Sequence, residues 1–124
     1  MSVGVRYIVD DVDAAVQFYR DHLGFVVDMQ PTPGFAALRG AGLRLFLNAP
    51  GSGGAGQAGG RPQPGGWNRF RIETDTLDDD VARLRAGGVP FRGGVVEGRG
   101  GRQVLVEDPS GNVVELFEPQ RSQP

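Results

Sequence analysis

Residues 107–119, EDPSGNVVELFEP, decide how this chain is read. Pro109 fixes φ and Gly111 accepts a positive φ. With Asp108 and Asn112 expected to bond their own backbone, residues 108–112 form a tight turn between two strands. In the strand that follows, side chains alternate faces, so Val113, Glu115 and Phe117 share one face while Val114 and Leu116 share the other. Glu115 is therefore a carboxylate among apolar neighbours. It needs a metal, a cation or a ligand, because an unpaired buried charge is too costly to keep.

Working outward from that strand, residues 103–107 and 91–96 read as strands, and Gly87-Gly88 closes a helix behind them. Thr76 caps that helix with Asp79 at the capping-box position, and Leu77, Val81 and Leu84 form its apolar stripe. Asp78, Asp79 and Asp80 at its start and Arg83 and Arg85 near its end match the macrodipole. Residues 67–74 form the strand before it. The first half of the chain has the same order. Residues 3–9 alternate Val3, Val5, Tyr7 and Val9 against Gly4, Arg6 and Ile8, and Asp11 caps a helix with Val12, Ala15, Val16, Tyr19 and Leu23 on one stripe. Gly24 stops it; residues 25–29, 35–39 and 43–48 are strands, the first two joined by the turn from Pro31 to Gly34.

Asp11 and Thr76 lie 65 residues apart, and Val12, Val16 and Tyr19 map onto Leu77, Val81 and Leu84 at that offset. The reading is an α+β chain, a tandem repeat of one βαβββ unit: repeat one 3–49, a linker 50–66, repeat two 67–119 and a tail 120–124, forming a single domain over 1–124. One such unit leaves a sheet face that its helix does not cover, so two units must pair, within the chain or across a dimer. The linker holds a formal G-x-G-x-x-G at Gly51, Gly53 and Gly56. The strand-turn-helix context that gives this motif its phosphate-binding mechanism is missing, since no helix runs through Gly59-Gly60-Arg61-Pro62.

The 124 residues suit one domain that buries roughly two-thirds of its unfolded surface, and 39% hydrophobic with 23% charged residues is the balance of a soluble globular protein. A net charge of −2, with basic residues scattered, argues against a nucleic-acid partner. All 13 basic residues are arginine, which excludes a lysine Schiff base, and zero cysteines exclude disulfides, thiolate metal sites and a cysteine nucleophile. No signal peptide or membrane span is recognisable, so a cytoplasmic location without a membrane partner is expected. Ser110 lies in a turn and His22 is the sole histidine, which leaves no serine-based nucleophile constellation.

The 107–119 stretch, together with VDDVDAAVQFYRDHLGF at residues 9–25, resembles the vicinal oxygen chelate superfamily of glyoxalases, extradiol dioxygenases and bleomycin-resistance proteins, over roughly residues 3–119. The resemblance implies paired sheets that curl around a ligand cavity, and homodimers among the drug-binding members. It also implies four metal-ligand positions, two per repeat. One spacing back from the helix caps Asp11 and Thr76 gives Gly4 and Arg69; another, before Pro50 and Pro119, gives Phe46 and Glu115. Only Glu115 has a suitable donor, and a catalytic metal usually needs about three protein ligands. His22, on the helix away from the sheet face, reads as a solvated histidine.

Side chains that would meet at a common ion converge, so Arg69 and Glu115 are expected to pair. Trp67, Arg71 and Glu73 share the parity of Arg69, with Arg6 and Ile8 on the matching strand of repeat one, and Phe46, Phe117 and Val113 add apolar wall. Phe35, Met29, Phe91 and Gln103 are neighbours whose facing the sequence leaves open. The expected ligand-binding set is Trp67, Arg69, Glu115, Arg6, Phe46, Arg71 and Phe117, with no metal and no cofactor; a divalent metal at Glu115 is the alternative. Such a wall suits a small, partly planar organic molecule. Three functions remain: a metal-free binding protein of the bleomycin-resistance type that sequesters a drug or aromatic metabolite, a diverged glyoxalase- or dioxygenase-like lyase or isomerase with Glu115 as catalytic base, or a regulatory module without ligand.

Overall fold

Tyr7 and Val9 at the end of one strand, and Val12, Ala15, Val16 and Tyr19 on the helix that follows, are apolar on one side only, so each element hides that side against the other. A computed structural model describes residues 1–52 and 59–120. The elements run β1 (Gly4–Ile8), α1 (Val12–Leu23), β2 (Val26–Thr32), β3 (Phe35–Gly40), β4 (Leu43–Asn48), β5 (Arg69–Glu73), α2 (Leu77–Ala86), β6 (Val96–Glu97), β7 (Gly101–Glu107) and β8 (Val113–Pro119). This is the expected α+β arrangement, βαβββ twice.

The chain divides into two compact units, Met1–Gly66 with Pro109–Asn112, and Trp67–Asp108 with Val113–Pro124. The first holds a sheet of order β1-β4-β3-β2 and the second a sheet of order β5-β8-β7-β6. In each, the first and last strands of the repeat pair in parallel and the other pairs are antiparallel. The core of the first unit lies between α1 and one sheet face, with Tyr19, Phe25, Ala36, Leu38, Leu45 and Leu47 all buried. In the second, Leu77 and Leu84 of α2 are buried, as are Val104, Val106, Val114 and Leu116 of β7 and β8. Each Val, Leu or Phe among them contributes about 1.5–3 kcal/mol by leaving water, which is why the helices settle on those faces and leave the opposite ones open.

Helix α1 forms as its sequence dictates: the Asp11 carboxylate accepts from the Ala14 N–H at 3.1 Å, and Gly24, at φ 73°, ends it in the left-handed conformation. Its buried side also includes Phe18, adjacent to the stripe, while Leu23 is half-buried.

Other local expectations are corrected. Strand β2 runs through Pro31 to Thr32, where a turn was expected, because Thr32 still pairs with Phe35 across an irregular register. Residues 91–96 do not form one strand: Phe91 makes an isolated bridge to Val106, Gly93 takes φ 89°, and pairing resumes only at Val96. Trp67 and Asn68 precede β5. Thr76 makes no side-chain cap to α2, and Asp79 is not its capping partner. Instead Asp80 accepts from the hydroxyls of Thr74 and Thr76, while Glu118 accepts from the Leu77 N–H at 3.2 Å. Glu118 is also held by Arg102, which bridges to Asp78 as well.

The Asp108–Asn112 turn forms as expected, with Gly111 at φ 82°, and it also bonds to distant residues. Asn112 is buried, but its side chain donates to the Ile8 carbonyl and accepts from the Gly65 N–H, both at 2.8 Å, and the Ser110 hydroxyl accepts from the Asp10 N–H. These bonds tie the Pro109–Asn112 turn to the end of β1 within the first unit. Part of the 50–66 linker, with Gly53 and Gly56 of the glycine motif, and residues 121–124 of the tail lie outside the described residues. Residues 59–66 carry no helix or strand. No helix among the described residues is long and apolar enough to cross a membrane.

Candidate functional site

The open sheet face of each unit is fixed by register. In the second unit Arg71 lies opposite Glu115, Glu73 opposite Phe117, and Gln103 and Leu105 opposite Phe117 and Glu115 on the other flank, so these side chains share one face. At its centre the Arg69 Nε donates to Glu115 Oε1 at 3.0 Å. The pair expected from sequence forms. Glu115 keeps 11% of its side-chain surface and Arg69 28%, so this is a partly desolvated ion pair rather than a surface one. Arg69 Nη1 also donates to the Trp67 carbonyl at 3.3 Å.

Around this centre two guanidinium groups lie on aromatic rings. Arg71 sits 4.3 Å from the Phe117 ring centroid and reaches Glu73 at 3.3 Å. Arg92 sits 4.4 Å from the Trp67 ring while bonding Glu107 at 2.8 Å. Trp67 is 66% exposed. Val113, by contrast, is fully buried and offers no accessible wall.

The first unit repeats the geometry with different chemistry. Arg6 lies opposite Phe46 in the same parallel register that sets Arg71 opposite Glu115, so Phe46 occupies the Glu115 position and Gly4 the Arg69 position. A Cβ built on Gly4 falls 2.5 Å from Phe46 Cε2. The phenyl ring thus fills the space that a side chain at residue 4 would need, as the Arg69 guanidinium meets Glu115 in the second unit. Phe46 stacks on Phe35, with centroids 6.3 Å apart and planes at 13°. Arg6 lies 5.5 Å and Arg44 5.0 Å from the Phe46 centroid. Arg6 Nε donates to the fully buried Asn48 at 2.9 Å.

Of the neighbours whose facing was open, Phe35, Met29 and Gln103 lie on the open faces through their partners Asn48, Ala37 and Phe117. Phe91 does not: it bridges Val106 and lies under Arg85, at 4.4 Å, on the helix side. His22 is half-buried on α1, with its ring 5.6 Å from Phe18. Sequence reasoning missed Arg44, Asn48 and Arg92. Extending the parity of Phe46 by one step each way names the first two; Arg92 carries no such signal, since it follows an isolated bridge.

The positions that the fold suggests for metal ligands hold Gly4 and Phe46 in the first unit and Arg69 and Glu115 in the second. One is a hydrogen atom, one a hydrocarbon and one a cation, and the single carboxylate already accepts from a guanidinium. This donor set does not fit a metal. Among the described residues no three His, Cys, Asp or Glu side chains cluster as a metal site.

Comparison with known proteins agrees with the architecture. The family model described as Glyoxalase/Bleomycin resistance protein/Dioxygenase superfamily matches residues 3–116. A crystal structure of a member of that superfamily from Sphaerobacter thermophilus is similar at 29% identity and TM-score 0.76, covering 95% of this chain and 96% of the other. TnmS3, an antibiotic binding protein from a Streptomyces species, is similar at 29% identity and TM-score 0.74, covering 97% and 96%. A lactoylglutathione lyase from Agrobacterium tumefaciens is similar at 25% identity and TM-score 0.76, covering 95% and 92%. No curated protein matches the chain.

Proposed function

Given that this chain belongs to the Glyoxalase/Bleomycin resistance protein/Dioxygenase superfamily, we propose that it is a metal-independent binding protein of the bleomycin-resistance type. It takes up a small drug or aromatic metabolite against the open faces of its βαβββ modules, and works as a cytoplasmic homodimer. The observation that carries this reading is the occupation of the four expected ligand positions by Gly4, Phe46, Arg69 and Glu115, with each pair already satisfied internally. Trp67, Phe117, Arg71 and Arg6 offer aromatic faces and guanidinium donors, a combination that suits planar guests. The likeness to an antibiotic binding protein supports the same reading.

The likeness to a lactoylglutathione lyase favours a second reading, lyase or isomerase chemistry with Glu115 as base. The Arg69 bond weighs against it, because it engages Oε1 and leaves only Oε2 of the Glu115 carboxylate for a substrate proton. The test is metal content of the purified protein, followed by thermal-shift titration with Zn²⁺, Mn²⁺, Fe²⁺ and Ni²⁺ and then with a panel of aromatic natural products. Stabilisation by natural products and not by metals is expected. Stoichiometric metal, or stabilisation by several degrees on adding one, would overturn the reading.

A further inference from the structure

We propose that the open face of the first unit selects aromatic anions, a carboxylate or phenolate carried on a planar ring; this rests on the binding function proposed above and names its ligand class. Three arginines meet on this face. Arg39 lies directly opposite Arg44, Gly4 flanks Arg44 on the other side, and Arg6 lies opposite Phe46. Like charges placed opposite each other across strands repel, a cost that a nearby negative group relieves. Arg39 has that partner in Asp28, at 2.6 Å. Arg6 and Arg44 have none: Arg6 bonds the neutral side chain of Asn48, Arg44 lies over a phenyl ring, and no carboxylate among the described residues reaches either.

The second unit provides the contrast. There Arg69, Arg71 and Arg92 each meet an acid, Glu115, Glu73 and Glu107. Two uncompensated positive charges on one sheet face, in a chain of net charge −2, are a local feature and not a reflection of overall composition.

Their placement defines a ligand shape. The two guanidinium groups flank one ring, Phe46, which is itself stacked on Phe35. A planar guest laid on these rings puts an acidic substituent within reach of a guanidinium fork, whose geometry matches a carboxylate.

Isothermal titration with three probes of one shape tests this: 2-naphthoate, neutral 2-naphthamide and cationic 2-naphthylmethylamine. Naphthoate is expected to bind the wild-type protein about tenfold tighter than naphthamide, the scale of one charge-assisted hydrogen bond. Arg44→Gln and Arg6→Gln each reduce that ratio, and added salt weakens naphthoate selectively. Equal affinity for naphthoate and naphthamide, or tighter binding of the amine, would overturn the anion selectivity and leave small-molecule binding standing. If none of the three binds and no aromatic natural product does, the binding function fails and this proposal fails with it.

Discussion

Removing the guanidinium of Arg69 leaves Glu115 with its one cation gone and little water to replace it. Breaking a fully buried ion pair from one side costs about 3–5 kcal/mol, mainly because the surviving charge is left uncompensated. Here Glu115 keeps 11% of its side-chain surface and Arg69 28%, so solvent recovers part of that loss. Arg69→Ala is therefore expected to destabilise the fold by about 1–3 kcal/mol, which for a domain of this size lowers Tm by roughly 4–12 °C. The companion double variant, Arg69→Met with Glu115→Leu, removes both charges and fills the space with hydrocarbon. It is expected to return to within about 1 kcal/mol of wild type, since apolar replacement of a buried pair is often neutral. Urea and thermal unfolding followed by circular dichroism, on the wild type, Arg69→Ala, Arg69→Met, Glu115→Leu and the double, closes the cycle and gives the coupling energy. An Arg69→Ala protein melting within a degree of wild type would show that Glu115 needs no cation, and the account of how this face is satisfied would be wrong.

Three further outcomes follow from the geometry. Arg102, and then the Leu77 N–H, hold the Glu118 carboxyl below its ordinary value of 4.5, so its contribution to stability is complete above that value and drains away as pH falls below it; Tm measured from pH 6 to 3 should fall more steeply for wild type than for Arg102→Gln, and parallel curves would refute the link. Gly4→Ala places a methyl 2.5 Å from the Phe46 ring and should cost about 1–3 kcal/mol by chemical denaturation, a loss that Phe46→Ala in the same chain reduces rather than adds to. Asn112→Ala leaves the Ile8 carbonyl and the Gly65 N–H without their partner and should cost about 1–3 kcal/mol, with faster amide exchange at Gly65 as the local sign.

The repeat made the centre of the site legible. An offset shared by two helices is enough to superpose Gly4 on Arg69 and Phe46 on Glu115, and strand parity then places their neighbours, because side-chain direction on a strand follows from counting alone. What escaped depends on partners that no local pattern announces. Asn112 looks like a turn residue bonding its own backbone, yet its partners are Ile8 and Gly65, one of them 104 residues away. Thr76 and Asp79 fit the capping-box pattern, yet the Leu77 N–H is taken by Glu118, 41 residues on, and Asp80 is turned toward Thr74 and Thr76. The strand expected over 91–96 fails on Gly93, whose positive φ the chain permits but does not demand.

The phenyl ring that fills the space above Gly4 also bears on how this protein can evolve. A histidine gained at residue 4 would meet that ring at once, and would be selected against for the clash before any benefit of binding an ion appeared. A glutamate gained first at residue 46 would give up the stack with Phe35 but would stand beside the guanidinium groups of Arg6 and Arg44. The two orders therefore differ, since only the first begins with a clash. A larger side chain at residue 4 has to wait for a smaller one at residue 46, so the contact of a ring with a glycine sets the order in which the two can change.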